Sequence, residues 1–216
     1  MFGAYGPTTR CSGRFLLALS VFGAALLAPG RADAECSTDA AGGSWCLFRS
    51  IVPSSGIVAS CRTDRDCRVG YYYGDPASAA VWFSLPQGWS AFPKPDVTWI
   101  AGTLAQVRFD CGWPCSVSYF FEVRRRRLSG PRKSVLAVDA RRLLLAMVED
   151  RALVVRQMFS GREVTRIERD WAPSAWVGDA ITQIRFDPDG RLAFTWLGGA
   201  DRAPVTERLS VPTVAR

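Results

Sequence analysis

The stretch VRFDCGWPCSVSYFFEVRRRR, from Val107 to Arg127, places two cysteines around the turn candidate Gly112-Trp113-Pro114. If residues 105–111 and 115–123 pair as an antiparallel hairpin, the numbers of directly opposed residues sum to 226. Side chains alternate between the two faces of a strand, so one face carries only apolar or amphipathic residues. These residues are Ala105, Val107, Phe109, Cys111, Cys115, Val117, Tyr119, Phe121 and Val123. A shift of one residue would destroy this partition, so the pattern predicts the register.

The opposite face of this hairpin is predicted to be polar, with Phe120 as the exception. It carries Gln106, Arg108, Asp110, Ser116, Ser118, Phe120, Glu122 and Arg124. The register sets Cys111 opposite Cys115 on the core face, at a separation that a disulfide can span. A thioredoxin-type redox site has two residues between its cysteines and lies at a helix N-terminus, whereas here three residues intervene before a strand. The pair is therefore predicted to be a structural disulfide.

The N-terminus has the three parts of a secretory signal peptide, predicted over residues 1–34. Arg10 and Arg14 precede the apolar run Phe15 to Ala28, and the small-residue site Ala32-Asp33-Ala34 follows. The apolar run is too short to span a bilayer, and no second run of spanning length occurs. We therefore expect an exported protein, periplasmic or extracellular, that does not span the membrane.

Six cysteines remain after the predicted cleavage, and they form three close pairs along the chain. Closing short loops is entropically easiest, so the predicted disulfides are Cys36 with Cys46, Cys61 with Cys67, and Cys111 with Cys115. A four-cysteine zinc site is the alternative, but it suits an oxidising compartment poorly. The chain contains no histidine. We predict no metal site and no cofactor.

Turn signals and alternation predict a mainly β fold of antiparallel hairpins or meanders, either a sandwich or propeller-blade-like. Residues 35–103 are predicted to form a loop-rich part stapled by disulfides, and residues 104–216 an antiparallel β domain. A shift of 48 places residues 137–146 over residues 185–194, which suggests two similar hairpin units. Residues 140–158 also contain good helix formers, but Glu149-Asp150-Arg151 interrupts the apolar stripe, so strands are favoured.

Several function classes are excluded by composition. Without histidine there is no Ser-His-Asp triad, no Cys-His nucleophile and no histidine metal site, and no catalytic residues are predicted. The net charge of +7 is carried mostly by arginine and supports only a weak attraction to anionic envelope surfaces. Export also removes nucleic acid from the expected partners. The run Arg124 to Arg127 fits a solvated strand end better than an anion site.

Two function hypotheses follow. The preferred one is a non-catalytic binding or structural protein of the bacterial envelope, whose partner is an unknown protein or glycan. Trp113, Trp171 and Trp176 lie in turn-rich segments and are its candidate partner-binding residues, although packing over local structure is the competing interpretation. The alternative is a histidine-free enzyme that uses carboxylates, for example Glu168 and Asp170, on an envelope glycan. An enzyme requires two carboxylates converging in a cleft, whereas a binding protein requires exposed aromatic side chains.

Overall fold

The structure of the protein, a computed structural model, describes residues 30–31, 34–38, 43–63, 66–84, 95–110, 115–172 and 176–212. These residues form four antiparallel sheets and two short 3₁₀ turns, Pro76–Ser78 and Val177–Ala180. The described part of the chain contains no α-helix. The predicted fold class, mainly β and antiparallel, is therefore confirmed.

The first sheet is a five-stranded meander that carries two of the predicted disulfides. Its strands, in spatial and chain order, are β2 (Ala34–Thr38), β3 (Ser44–Arg49), β4 (Ser55–Thr63), β5 (Asp66–Tyr73) and β6 (Ala80–Ser84). The bond Cys36–Cys46 joins directly opposed residues of β2 and β3, and Cys61–Cys67 does the same for β4 and β5. Both pairings confirm the sequence prediction.

The second sheet contains the hairpin predicted around Gly112-Trp113-Pro114. Its strands are β1 (Gly30–Arg31), β7 (Asp96–Ile100), β8 (Leu104–Asp110), β9 (Ser116–Glu122), β10 (Arg127–Leu128) and β11 (Arg132–Lys133). The strands β8 and β9 pair from Leu104 opposite Glu122 to Asp110 opposite Ser116, so every opposed pair sums to 226 as predicted. Cys115 is disulfide-bonded. Its predicted partner Cys111 and the turn residue Trp113 lie outside the described residues.

The third and fourth sheets complete the fold. The third consists of β12 (Val135–Asp139), β13 (Leu144–Glu149), β14 (Ala152–Gln157) and β15 (Glu163–Ile167), and the fourth of β16 (Ile181–Phe186), β17 (Arg191–Gly198) and β18 (Ala203–Ser210). The segment that could have been a helix is thus a hairpin, β13 and β14. Its turn begins at Asp150, whose φ of 46° lies in the left-handed region that aspartate tolerates better than most residues.

The four sheets pack face to face in chain order. One apolar cluster fills the space between the first and second sheets, and it includes Ile57, Val69, Val107 and Phe121. A second cluster, which contains Phe120 and Leu145, joins the second sheet to the third. A third cluster, built around Leu153 and Phe194, joins the third sheet to the fourth. Because the two middle sheets are covered on both faces, only the first and fourth sheets have a face without a covering sheet in the described part.

The second face of the β8–β9 hairpin differs from the prediction. Ser118, Phe120 and Glu122 are buried there instead of facing water. The reason is that the third sheet packs on this face, with Leu145, Met147 and Met158 around the Phe120 ring. Phe120 is therefore not an isolated apolar residue on a polar face. It belongs to a second core, between the second and third sheets.

The two similar hairpin units lie next to each other in the third and fourth sheets. Asp139 and Asp187 occupy equivalent positions at the ends of β12 and β16, and both are buried. Arg142 donates through Nε to Asp139 Oδ2 at 2.6 Å. The same guanidinium extends to Gly190 in the equivalent turn of the fourth sheet, where a Cβ would lie 2.9 Å from Nη1. Arg142 therefore lies against the equivalent turns of both hairpin units.

The predicted cleavage after Ala34 falls inside β2, directly after its first residue. Cleavage after Ala34 would remove β1, which pairs with β7 through Gly30 opposite Trp99, and would leave β2 to begin at Glu35. The predicted signal segment before residue 30 lies outside the described residues. Within the described ranges, no helix has the length and apolar character needed to cross a bilayer.

Candidate functional site

The predicted tryptophan sites have different surroundings. Trp171 is only 5% exposed, its indole N–H donates to the Arg151 carbonyl at 2.8 Å, and its ring contacts Trp196 edge-on. Trp176 is partly buried against the same core, with its ring over Gly178. Trp113 lies outside the described residues. The faces of the Trp171 ring are thus occupied by the protein, and a partner could reach them only if the ring left the core.

The carboxylates suggested for an enzyme lie on the chain segment between β15 and the fourth sheet. Glu168 and Asp170 are exposed, and their backbone carbonyls accept hydrogen bonds from Arg169 and Gly199. Glycoside hydrolysis needs one carboxyl group with a raised pKa. In the described part of the chain, the three carboxyl groups with shifted pKa values, Glu35, Asp187 and Glu207, all have lowered pKa values, caused first by hydrogen bonds from arginine.

The described residues contain no candidate metal site. Among residues 30–31, 34–38, 43–63, 66–84, 95–110, 115–172 and 176–212, no three Asp, Glu or Cys side chains are arranged to hold a metal ion. Four of the cysteines are bonded to each other, and Cys115 is also in a disulfide. The outer faces of the first and fourth sheets, which no described sheet covers, are the surfaces left for a site.

On the outer face of the fourth sheet, two arginines are already paired with an aspartate. Arg185 and Arg208 flank it, and both donate to the Asp187 carboxylate through Nε, at 3.0 and 2.9 Å. The hydrogen bond from Arg208, with that from Arg185, lowers the pKa of the Asp187 carboxyl group. These guanidinium groups are already engaged by the protein's own acid, so they offer little to a ligand.

The outer face of the first sheet carries a row of polar residues around an exposed indole. Directly opposed residues of neighbouring strands point to the same face. The pairings therefore align one residue from each of the five strands in what we call the outer row: Ser37, Trp45, Ser60, Arg68 and Ser84. Trp45 is 42% exposed, the only tryptophan of the described part with so large an exposed fraction.

A bulge adds a second arginine beside this row. The register of β4 and β5 shifts between Cys61 and Thr63, so that Arg62 is an extra residue on β4. Such bulges redirect side chains and often occur beside functional sites. Ser60, Arg62, Asp66 and Arg68 line a shallow hollow of about 110 Å³, which we call the hollow. It lies at the end of the sheet that the Cys61–Cys67 disulfide holds together.

The charges around the hollow are unpaired. Neither Arg62 nor Arg68 has an ion pair with any residue that the structure describes, and Asp66 has none either. At the other end of the same face, Arg49 donates to both oxygens of Glu35, at 3.1 and 2.9 Å, and this lowers the pKa of Glu35. Among the described residues, the three charges of the hollow therefore sum to +1, while Arg49 and Glu35 neutralise each other.

Apolar side chains flank the outer row. The neighbouring row on the same face runs through Leu47, Val58, Gly70 and Val81. Val81 is 64% exposed and Val58 is partly exposed, while Leu47 is buried. An exposed aromatic ring, serine hydroxyls, guanidinium groups without an ion pair in the described part and an apolar margin thus share a face that no described sheet covers. This combination can bind a ligand.

Comparisons with known proteins give no further identification. No family model, curated protein or solved structure matches the chain.

The arginine run from Arg124 to Arg127 lies outside this face, and two of its side chains contribute to packing. The turn after β9 exposes Arg124 to Arg127, and two of its guanidinium groups stack on rings of other sheets. Arg126 lies 4.5 Å from the centroid of Tyr73, and Arg127 lies 4.3 Å from that of Phe159. Cation–π contacts of this kind fix the turn against its neighbours.

Glu207 provides a test of the electrostatics in the fourth sheet. Arg169 donates to both of its oxygens, at 2.9 and 2.7 Å, and the Trp196 indole N–H donates at 2.8 Å. These bonds, with that of Arg169 first, lower the pKa of Glu207 below its ordinary 4.5. A lowered folded-state pKa stabilises the protein above the ordinary value, and the stabilisation is lost as the pH falls through the folded value.

We therefore expect the free energy of unfolding of the wild type to fall more steeply below about pH 4.5 than that of Glu207→Gln. Chemical denaturation at a series of pH values from neutral to acid measures both curves. The matched control Glu168→Gln removes an exposed carboxylate and should keep the wild-type slope. Parallel curves for the wild type and Glu207→Gln would show that this ion pair makes no pH-dependent contribution.

Proposed function

We propose that the protein is an exported, non-catalytic binding domain of the bacterial envelope, and that its outer row and hollow hold an anionic envelope component. The observation that carries this proposal is the hollow itself, where two guanidinium groups without an ion pair in the described part lie on the same sheet face as the exposed ring of Trp45. Exposed aromatic and arginine side chains are characteristic of residues that dominate binding energy.

Export is supported by two kinds of observation. The N-terminal pattern of Arg10, Arg14, the apolar run and the Ala32-Asp33-Ala34 site is typical of a signal peptide. The disulfides Cys36–Cys46 and Cys61–Cys67 require an oxidising environment to persist. The periplasm and the extracellular medium are both compatible with these features.

The proposal predicts that binding to the envelope depends on the hollow. Purified full-length protein, mixed with an envelope fraction from cells that produce it, should sediment with that fraction. The variant Arg62→Gln/Arg68→Gln should bind at least about tenfold more weakly, because charge-assisted hydrogen bonds are lost. Trp45→Ala should weaken binding by a similar factor, since the ring contributes a large rigid contact.

The matched control is Arg124→Gln/Arg125→Gln, which removes the same charge from the exposed turn after β9. It should retain binding to within about twofold. If both double variants lost binding equally, the interaction would be a general attraction between the basic chain and an anionic surface. That result, or wild-type binding by the Arg62→Gln/Arg68→Gln variant, would contradict the proposal.

A further inference from the structure

We infer that the ligand of this face is a carboxylated polysaccharide, with one sugar ring against Trp45 and the carboxylate of another unit between Arg62 and Arg68. This inference rests on the proposed function and names the ligand class for the same site. Three features of the outer face support it: the charge of the hollow, the chemistry of the outer row and the distance along that row.

The charge of the hollow matches a single negative charge. Arg62 and Arg68 contribute two positive charges and Asp66 one negative charge, and none of the three has an ion pair in the described part. A carboxylate carries one negative charge, whereas a phosphate monoester carries nearly two at neutral pH. The planar guanidinium group binds a carboxylate through two parallel hydrogen bonds. The hollow is thus complementary to a carboxylate in charge, and each of its guanidinium groups can bind one.

The outer row matches a polyhydroxylated chain. Ser37, Ser60 and Ser84 are exposed and alternate with Trp45 and Arg68, so hydroxyl groups lie on both sides of the ring. Each hydroxyl both donates and accepts a hydrogen bond, as sugar hydroxyls require. The flat Trp45 ring and the apolar margin at Val58 and Val81 can cover the C–H face of a sugar. An acyl chain or an apolar peptide side chain would leave these hydroxyls without partners.

The distance along the row requires an oligomer. Trp45 and Arg68 lie on β3 and β5, with Ser60 of β4 between them. Neighbouring strands are about 4.8 Å apart, so the two side chains are separated by roughly 10 Å at the backbone. This separation exceeds the width of one sugar ring. A single uronic acid can therefore occupy the hollow or the ring, but only a chain of such units reaches both.

Calorimetric titration of the full-length protein tests the inference with four probes: an oligomer of galacturonate, a neutral galactose oligomer of equal length, galacturonate monomer and dextran sulfate. The galacturonate oligomer should bind at least about tenfold more tightly than each of the other three. Tighter binding of dextran sulfate would assign the site to sulfated chains and overturn the inference. Equal binding of the monomer would overturn the two-point contact between Trp45 and Arg68.

Variants connect the affinity to the named side chains. Arg62→Gln/Arg68→Gln should lower affinity for the galacturonate oligomer at least about tenfold, and Trp45→Ala should do the same, while Trp45→Phe should retain most of it. Arg124→Gln/Arg125→Gln should bind like the wild type. An unchanged circular dichroism spectrum and intact disulfides establish that each variant is folded.

The two proposals fail in distinguishable ways. If sedimentation with the envelope fraction depends on Arg62 and Arg68 but the galacturonate oligomer binds no better than the neutral one, the ligand class is wrong and the binding function stands. If neither measurement depends on these arginines, both proposals are wrong. Binding of the galacturonate oligomer that survives Arg62→Gln/Arg68→Gln would place the carboxylate elsewhere and also overturn the inference.

Discussion

Replacing Phe120 by alanine is expected to lower the free energy of unfolding by about 3–5 kcal/mol, the range for removing a fully buried phenylalanine. The ring is 0% exposed and lies among Leu104, Leu145, Met147 and Met158. These residues come from the second and third sheets. Removing the ring therefore leaves a cavity at the junction between the two sheets, where neither sheet can collapse without moving the other.

Guanidinium denaturation with the disulfides intact measures this loss. Phe121→Ala is the matched comparison, because Phe121 is the next residue of β9 and is equally buried in the core between the first and second sheets. We expect losses of similar size from both. Phe120→Leu should cost less, since it retains much of the volume. A loss below about 1 kcal/mol for Phe120→Ala would mean that the second and third sheets do not share this core.

Removing a disulfide of the first sheet is expected to have the next largest effect. The chain-entropy argument gives about 2 kcal/mol for Cys61–Cys67 and slightly more, up to about 3 kcal/mol, for Cys36–Cys46, because the latter closes the longer loop. The sequence separations are 6 and 10 residues. The double variants Cys61→Ala/Cys67→Ala and Cys36→Ala/Cys46→Ala should therefore remain folded at room temperature.

The two disulfides lie at different places in the first sheet, and their effects on stability can be measured separately. The hollow lies beside the Cys61–Cys67 bond, whereas Cys36–Cys46 joins the edge strand β2 to β3. Losing either bond should shift the denaturation midpoint, and the combined variant should lose roughly the sum of both. A loss of nearly zero for each would show that the sheet alone constrains these residues. The same entropy argument applies to the predicted pair Cys111 and Cys115, which stays a prediction.

The sequence predicted the central hairpin well because its faces differ in polarity. Val107, Val117 and Phe121 alternate with Arg108, Ser116 and Ser118, so only one register separates the two sets. The buried run at residues 144–148 was harder to interpret. Its odd and even residues enter different cores, Leu145 towards the second sheet and Leu144 towards the fourth. A strand that is buried on both faces loses its alternation and looks like a buried helix.

The proposed binding face was missed for a related reason. Residues 34–84 carry apolar side chains on both faces of the first sheet, including Leu47 and Val58 on the outer face, so polarity alone gives no register. The cysteine pairs give the register that polarity does not. Pairing Cys36 with Cys46 sets Ser37 opposite Trp45, and pairing Cys61 with Cys67 sets Ser60 opposite Arg68. These neighbours of the cysteines must point away from the core. The bulge at Arg62 has no comparable signal in the sequence.

The stacking of sheets in chain order has a consequence for how the protein is made. Each meander pairs strands that are close in sequence, and the pairing of β1 with β7 is the one long connection between described strands. Synthesis proceeds from the N-terminus and domains form as they emerge. If the chain also crosses into an oxidising compartment N-terminus first, the first sheet can be completed and oxidised before the fourth has emerged, and each later meander then packs on a finished surface. The proposed binding face, in the first sheet, would then be the first part of the molecule to fold.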